Sequence, residues 1–183
     1  MQVNIIHLPH REDRLKSSLK ELESQNITDF KFWDGIVDPH NIPRGISQAH
    51  KQIVRCAKNE GLKEVLIAED DLKFTACGAF DFFIKNKPPD FDLYLASIYC
   101  GEIDKHNTVN DFSGLTFYII AENFYNTFLN IPEYNNIDRL LNGKGKFIVC
   151  NPFTVIQSDG YSDNMKAYCD NQFFFNKFKL FKN

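Results

Sequence analysis

The sequence of 183 residues has no basic excess: 21 lysines and arginines stand against 24 aspartates and glutamates, a net charge of -3. That balance does not neutralise a row of phosphates, which excludes the usual nucleic-acid binder. No apolar run approaches the length that spans a bilayer. Residues 1–7 have neither a basic segment nor a small-residue cleavage site, so no signal peptide is expected. There is no Cys-x-x-Cys pair. The five cysteines, Cys56, Cys77, Cys100, Cys150 and Cys169, are odd in number and widely spaced. This pattern excludes a zinc frame or a disulfide framework and fits reduced thiols, so a cytoplasmic location is expected. Repeats, low-complexity linkers, a Gly-rich phosphate loop and an Asp-x-Asp-x-Thr nucleophile motif are all missing.

What is present fits one globular domain over residues 1–183. Hydrophobic residues make up 43% and charged residues 25%, enough to build a core and leave a polar surface. Phenylalanine is abundant, at 18 copies, and many fall after residue 110. Residues 2–8, 30–33, 64–68, 91–97, 115–120 and 146–150 read as strands, with 152–156 as a further candidate. Residues 11–25 read as a helix, with Leu15, Leu19 and Leu22 on one face. Residues 45–59 and 76–86 read as helices too, 121–130 as a strongly amphipathic one and 137–141 as a short one. Residues 38–44 and 100–113 read as loops. Residues 173–182 mix phenylalanine with lysine, as a docked terminal helix or a surface-binding tail would. Strands alternate with helices through the first hundred residues. That alternation implies βαβ units, a largely parallel sheet and helices on both faces, an α/β fold.

The run Glu64-Val65-Leu66-Ile67-Ala68 ends in three acids, Glu69, Asp70 and Asp71. In open α/β sheets ligands bind at the carboxyl ends of strands. Adjacent acids repel, and a hard divalent cation with oxygen ligands would relieve the repulsion. Such a cation would bridge a diphosphate and neutralise a leaving nucleotide. The plainer alternative is a solvated acidic turn.

An ordered set of short segments runs through the chain. It begins with Asn4-Ile5-Ile6-His7-Leu8, then Arg11 and Asp13-Arg14-Leu15. Gly45 and His50 follow, then Leu66 to Asp71, Asp92-Leu93-Tyr94-Leu95, residues 114–120, Ile137-Asp138, Pro152 and residues 157–163. In that order the chain resembles the family 25 (lipopolysaccharide biosynthesis) glycosyltransferases, over roughly residues 2–165. One departure is the second helix, which in that family opens Gly-Cys-x-x-Ser-His. Here it is Gly45-Ile46-Ser47-Gln48-Ala49-His50.

The resemblance implies a GT-A fold, a UDP-sugar donor, Mn²⁺ or Mg²⁺, and transfer of a hexose, galactose or glucose, to a glycan hydroxyl with inversion. It implies a nucleotide-sugar-binding half in residues 1–100, an acceptor and catalytic half in 101–165, and a tail in 166–183. Asp71 is then the main metal ligand. Glu69 faces the ribose or holds a metal-bound water, and Asp70 has the least defined role on the donor side. Leu8, Arg11, Arg14, Asp34 and His50 fall on the donor side as well. Arginines in a first helical turn face the positive end of the dipole, which a bound anion would explain, and pairing with Glu12 or Asp13 explains equally well. His50 reads as a residue orienting the acidic loop, against a satisfied core histidine. Asp138 is the candidate base, against an N-cap or a salt bridge to Arg139, with Asp163 as the alternative. Gln157 and Asp159 would line the donor or acceptor side, against a polar turn closed by Gly160. The acceptor would be a glycan or a lipid-linked glycan, with peripheral contact to a membrane. Two other readings use the same acids. One is a metal-dependent phosphatase or nucleotidyltransferase. The other is a non-catalytic nucleotide-sugar or glycan-binding module, to which the altered helix entry points.

Overall fold

The computed structural model describes residues 1–182. The chain opens with β1 (Val3–His7), α1 (Glu12–Ser24), β2 (Phe30–Asp34), α2 (Ile42–Asn59) and β3 (Glu64–Glu69). Then come β4 (Leu72–Phe74), α3 (Ala79–Lys85), β5 (Leu93–Leu95), β6 (Cys100–Ile103), β7 (Val109–Ser113) and β8 (Phe117–Ala121). A 3-10 turn (Glu122–Phe124) leads into α4 (Tyr125–Leu129) and α5 (Ile137–Leu141). The chain closes with β9 (Phe147–Val149), β10 (Val155–Gln157), β11 (Gly160–Ser162), β12 (Ala167–Cys169) and α6 (Asn171–Phe175).

Six strands make the central sheet, in the order β2-β1-β3-β8-β5-β9. β1 pairs in parallel with β2 and β3, and β5 with β9, while β8 runs antiparallel between β3 and β5. The α/β class and the mostly parallel sheet expected from the sequence are what the structure has. The inner strands are buried on both faces and read as apolar runs, whereas the edge strand β2, Phe-Lys-Phe-Trp-Asp, has no buried residue. Alternate side chains of each strand serve opposite faces. Val65, Ile67, Leu93, Leu95, Tyr118 and Ile120 pack with Ile53, Val54 and Ala57 of α2 and with α4 and α5. Leu66, Ala68, Tyr94, Phe117 and Ile119 pack with Leu22 of α1 and with Ala79 and Phe83 of α3.

Several expected elements shift. α2 starts at Ile42, ahead of Gly45, because Asn41 caps it by accepting from the Arg44 N–H and Pro43 occupies the first turn. Gly45 therefore lies inside the helix. There it lets the backbone of Ile36 come so close that a Cβ would sit 2.3 Å from its carbonyl oxygen. The amphipathic stretch at 121–130 is a 3-10 turn followed by α4. Residues 100–113 are no loop but the hairpin β6–β7. Their polar residues face outward, while Val109 and Phe112 are buried in the core. β4, β11 and β12 are too short to show a period of two. The C-terminal stretch is docked, but its helix α6 ends at Phe175 and the chain beyond is not helical. The Phe181 N–H donates to Phe153 O (2.8 Å), the Phe153 N–H donates to Lys179 O (2.8 Å), and the Phe153 and Phe178 rings pack at 4.6 Å, tilted by 32°. Phe173 and Phe174 are nevertheless exposed.

Candidate active site

β3 delivers the acidic turn to the carboxyl end of the sheet, where the Glu69 N–H donates to Thr116 O of the neighbouring chain segment (2.8 Å). The turn is tight because β4 follows at once, paired with β10. The Ser158 N–H donates to the Asp71 carbonyl (2.7 Å), which seats the loop after β10 over the acids. In so tight a turn Asp70 points away from the side that Glu69 and Asp71 share.

Asp70 turns inward and is 4% exposed. Its Oδ2 lies 2.8 Å from His7 Nδ1 and accepts from the Leu8 N–H (3.4 Å), and its Oδ1 accepts from Arg14 Nη1 (2.9 Å). It fastens β1 and α1 to the turn and is not open to a donor. Glu69 points into the cavity. Its Oε1 is 3.3 Å from His50 Nε2, and its Oε2 is 3.5 Å from Gln157 Nε2. Asp71 also faces the cavity. Its Oδ2 is 3.4 Å from Arg14 Nη1, and its buried Oδ1 has no partner. Burial, helped by the charge of Glu69 and opposed by Arg14, pushes the Asp71 carboxyl up to about 7.

The cavity encloses about 330 Å³. Arg14, His50, Glu69, Asp71, Asp138 and Gln157 all line it. Residues from five separate segments thus meet in one place. Three carboxylates face a single arginine there, and Asp70 and Asp71 already engage that arginine. An anion entering alone would therefore be repelled. His50 is held from behind by the Tyr118 hydroxyl, 2.9 Å from Nδ1. Burial raises the ionisation of Tyr118 far above its ordinary value, so the hydroxyl keeps its proton. The ring is thus held between the Tyr118 hydroxyl at Nδ1 and the Glu69 carboxylate, 3.3 Å from Nε2. Asp138 sits on α5, where its Oδ2 accepts from the Gly114 N–H (2.7 Å) and its Oδ1 from the Arg139 N–H (2.7 Å). Burial raises its pKa, and those two N–H groups oppose the rise.

The other residues singled out by sequence lie around this centre. Arg11 holds Asp13 (2.7 Å), pairs with Asp163 and donates to Tyr161 O (3.2 Å), so it binds α1 to β11. Asp163 is thereby turned to Arg11 and stays out of the cavity lining. Asp159 also stays out, accepting from the Gln172 N–H at the start of α6 (3.0 Å). Leu8 packs under Gly35, where a Cβ would come within 2.8 Å of its side chain. Asp34 is exposed at the end of β2. Sequence reading missed Tyr118, Tyr99, Asn136 and Asn171, which hold or line the cavity. Of these Tyr118 carried a cue: a phenol in a buried strand needs a hydrogen-bond partner.

Among the described residues no three His, Cys, Asp or Glu side chains converge as a ligand set. The groups present are the carboxylates of Glu69 and Asp71, and the Asp71 oxygen has no partner. Such oxygens fit a hard divalent cation that keeps most of its water.

No protein-family model and no curated protein matches this chain. Solved structures do. The crystal structure of A197 from STIV matches with a TM-score of 0.53 and 13% identity, over 86% of this chain and 85% of that one. That likeness is one of fold. A glycosyltransferase involved in glycosylation of the major capsid of PBCV-1 gives a TM-score of 0.47 and 11% identity, over 82% of this chain and 81% of the other. HddC from Yersinia pseudotuberculosis, complexed with GMP-PN, gives 0.45 and 14%, over 85% of this chain and 92% of the other.

Proposed function

We propose that the chain is a nucleotide-sugar-dependent glycosyltransferase of the family 25 type. It moves a hexose, galactose or glucose, from a UDP-sugar to a hydroxyl of a surface glycan or lipopolysaccharide precursor, with inversion. The observation that supports this reading is the convergence of Glu69, Asp71, His50, Arg14, Gln157 and Asp138 on one cavity at the carboxyl end of β3. Sequence order alone scatters them over more than a hundred residues.

Asp71 and Glu69 would hold Mn²⁺ or Mg²⁺. When bound, the ion supplies positive charge against the donor diphosphate. The chain's own residues do the rest. Asp70 fixes Arg14 and His7, so the turn is set before any ligand arrives. Tyr118 and His50 hold Glu69 in place, which limits the reorganisation left to binding. Asp138 takes the proton of the acceptor hydroxyl as its oxygen bonds to the anomeric carbon and the bond to the diphosphate breaks. Burial raises its pKa, which makes it a stronger base than an exposed carboxylate.

Calorimetric titration with a panel of UDP-sugars, with and without Mn²⁺, tests the reading on the native chain and on Asp71→Ala. Binding of one UDP-sugar that requires the ion and is lost in the variant is expected. Silence across the panel would sink the donor assignment. Binding without turnover on any glycan would move the chain to the non-catalytic reading.

A further inference from the structure

Eleven large hydrophobic side chains are exposed among the described residues, and five of them fall between residues 161 and 174. Tyr161 and Tyr168 are opposite each other in the β11–β12 ladder. Gly160, Ser162 and Cys169 of that hairpin line the cavity. By the alternation of strand side chains, the two tyrosines stand on the outer face. Met165 lies in the connecting turn, 69% exposed. One residue after β12, α6 begins, and its Phe173 is 74% exposed beside Phe174. Packing accounts for the other phenylalanines there: Phe175 is in the core and Phe178 lies tilted against Phe153. The chain spends its C-terminal aromatics in two ways, some as anchors and some as an open patch.

The same stretch carries positive charge in an acidic protein. Lys166, Lys177, Lys179 and Lys182 are all exposed, and none makes a salt bridge among the described residues. The two acids of the stretch are occupied: Asp163 pairs with Arg11, and Asp170 caps α6 at the Phe173 N–H. Lys177 stands 5.0 Å over the Phe178 ring, and exposed aromatics with lysines outside any salt bridge match the lipid–water boundary, where rings sit among headgroups and ammonium groups reach the phosphates. The anionic surface supplies the complementary charge.

We propose that the outer face of the β11–β12 hairpin, the first turn of α6 and the lysine-bearing chain that follows α6 form a docking surface for an anionic lipid membrane. It is independent of the transferase reading. Because the opposite face of the hairpin walls the cavity, docking would hold the cavity beside the lipid surface.

Sedimentation of the full chain with phosphatidylcholine vesicles, with and without phosphatidylglycerol, tests it. Three proteins are compared: the native chain, Lys177→Gln/Lys179→Gln/Lys182→Gln, and Tyr168→Ser/Phe173→Ser. All the substituted positions are exposed, and circular dichroism confirms that each variant keeps the native fold. Expected is binding to the anionic vesicles only, weakened by salt, about a hundredfold weaker in the lysine variant and clearly weaker in the aromatic one. The proposal is overturned if the native chain ignores vesicles, binds neutral ones as well, or binds no better than both variants. A native dimer in the absence of lipid, dissolved by the aromatic substitutions, would also overturn it in favour of a second copy of the chain. Nucleotide-sugar titration in free solution reads the transferase site separately.

Discussion

Two cavities of nearly equal size open at opposite ends of the sheet. The one at the amino end encloses about 340 Å³ and is lined by Asn4, Trp33, Ile53, Cys56 and Glu60, among others. Its polar groups are spent on each other. Trp33 Nε1–H donates to Asn4 Oδ1 (2.9 Å), Asn4 Nδ2 donates to Leu66 O (3.1 Å), and the Lys31 ammonium stands 3.8 Å over the Trp33 ring. The cavity at the carboxyl end holds three carboxylates, one shared arginine and an orphaned Asp71 oxygen. Volume does not separate the two. Unsatisfied charge does, because a protein leaves it buried only where something else completes it.

The contrast breaks most severely at Asp70. Its buried carboxylate is paired with Arg14 and His7, so Asp70→Ala strips both of their closest partner and leaves the half-buried arginine only Asp71, at 3.4 Å, and the Tyr161 carbonyl. A loss of about 3–5 kcal/mol in unfolding free energy is expected by urea denaturation. If the loss is under 1 kcal/mol, as is usual at the surface, Asp70 is no rivet.

Asp71 gives the opposite sign. Its carboxyl lies at about 7 in the fold against an ordinary 3.8, so the fold favours its protonated form. That contribution is complete below the unfolded pKa and is lost as pH rises through the folded one. With a chelator present, the native chain should lose stability between about pH 4 and pH 7 relative to Asp71→Asn, by a few kcal/mol. Parallel stability curves for the two would rule out a strained acid at the cavity.

Tyr118→Phe sharpens the comparison more gently. It strips His50 Nδ1 of its hydrogen-bond partner at no cost in volume, for roughly 1–2 kcal/mol of stability. Nucleotide-sugar affinity should fall by about tenfold, since Glu69 loses a fixed neighbour. Affinity equal to wild type would show that the Tyr118 hydroxyl serves packing alone.

Trp33→Phe is the counterpart at the amino end. It removes one hydrogen bond and the stacked lysine, and about 1 kcal/mol of stability should go with them. Calorimetric binding of a UDP-sugar should be unchanged. A change in affinity there would mean that the amino-end cavity communicates with the site.

The sequence alone determined the α/β class. The two-sided apolar runs at 64–68 and 115–120 and the amphipathic faces of α1 and α2 are local patterns, and local patterns survive without coordinates. It also marked the acidic turn, because a strand ending in three acids is conspicuous wherever it folds. Tertiary structure alone decided what each acid does. Asp70, between two neighbours of the same charge, turned inward because His7 and Arg14 waited there from another strand and helix, whereas Asp71 was left facing the cavity without a full set of partners. Asp163 and Asp159 were diverted to Arg11 and to the start of α6 for the same reason. Tyr118 joined the site because an antiparallel strand set it behind His50. Which carboxylate is paired and which is free depends on contacts between residues far apart in the chain, and no period or spacing along the sequence records them.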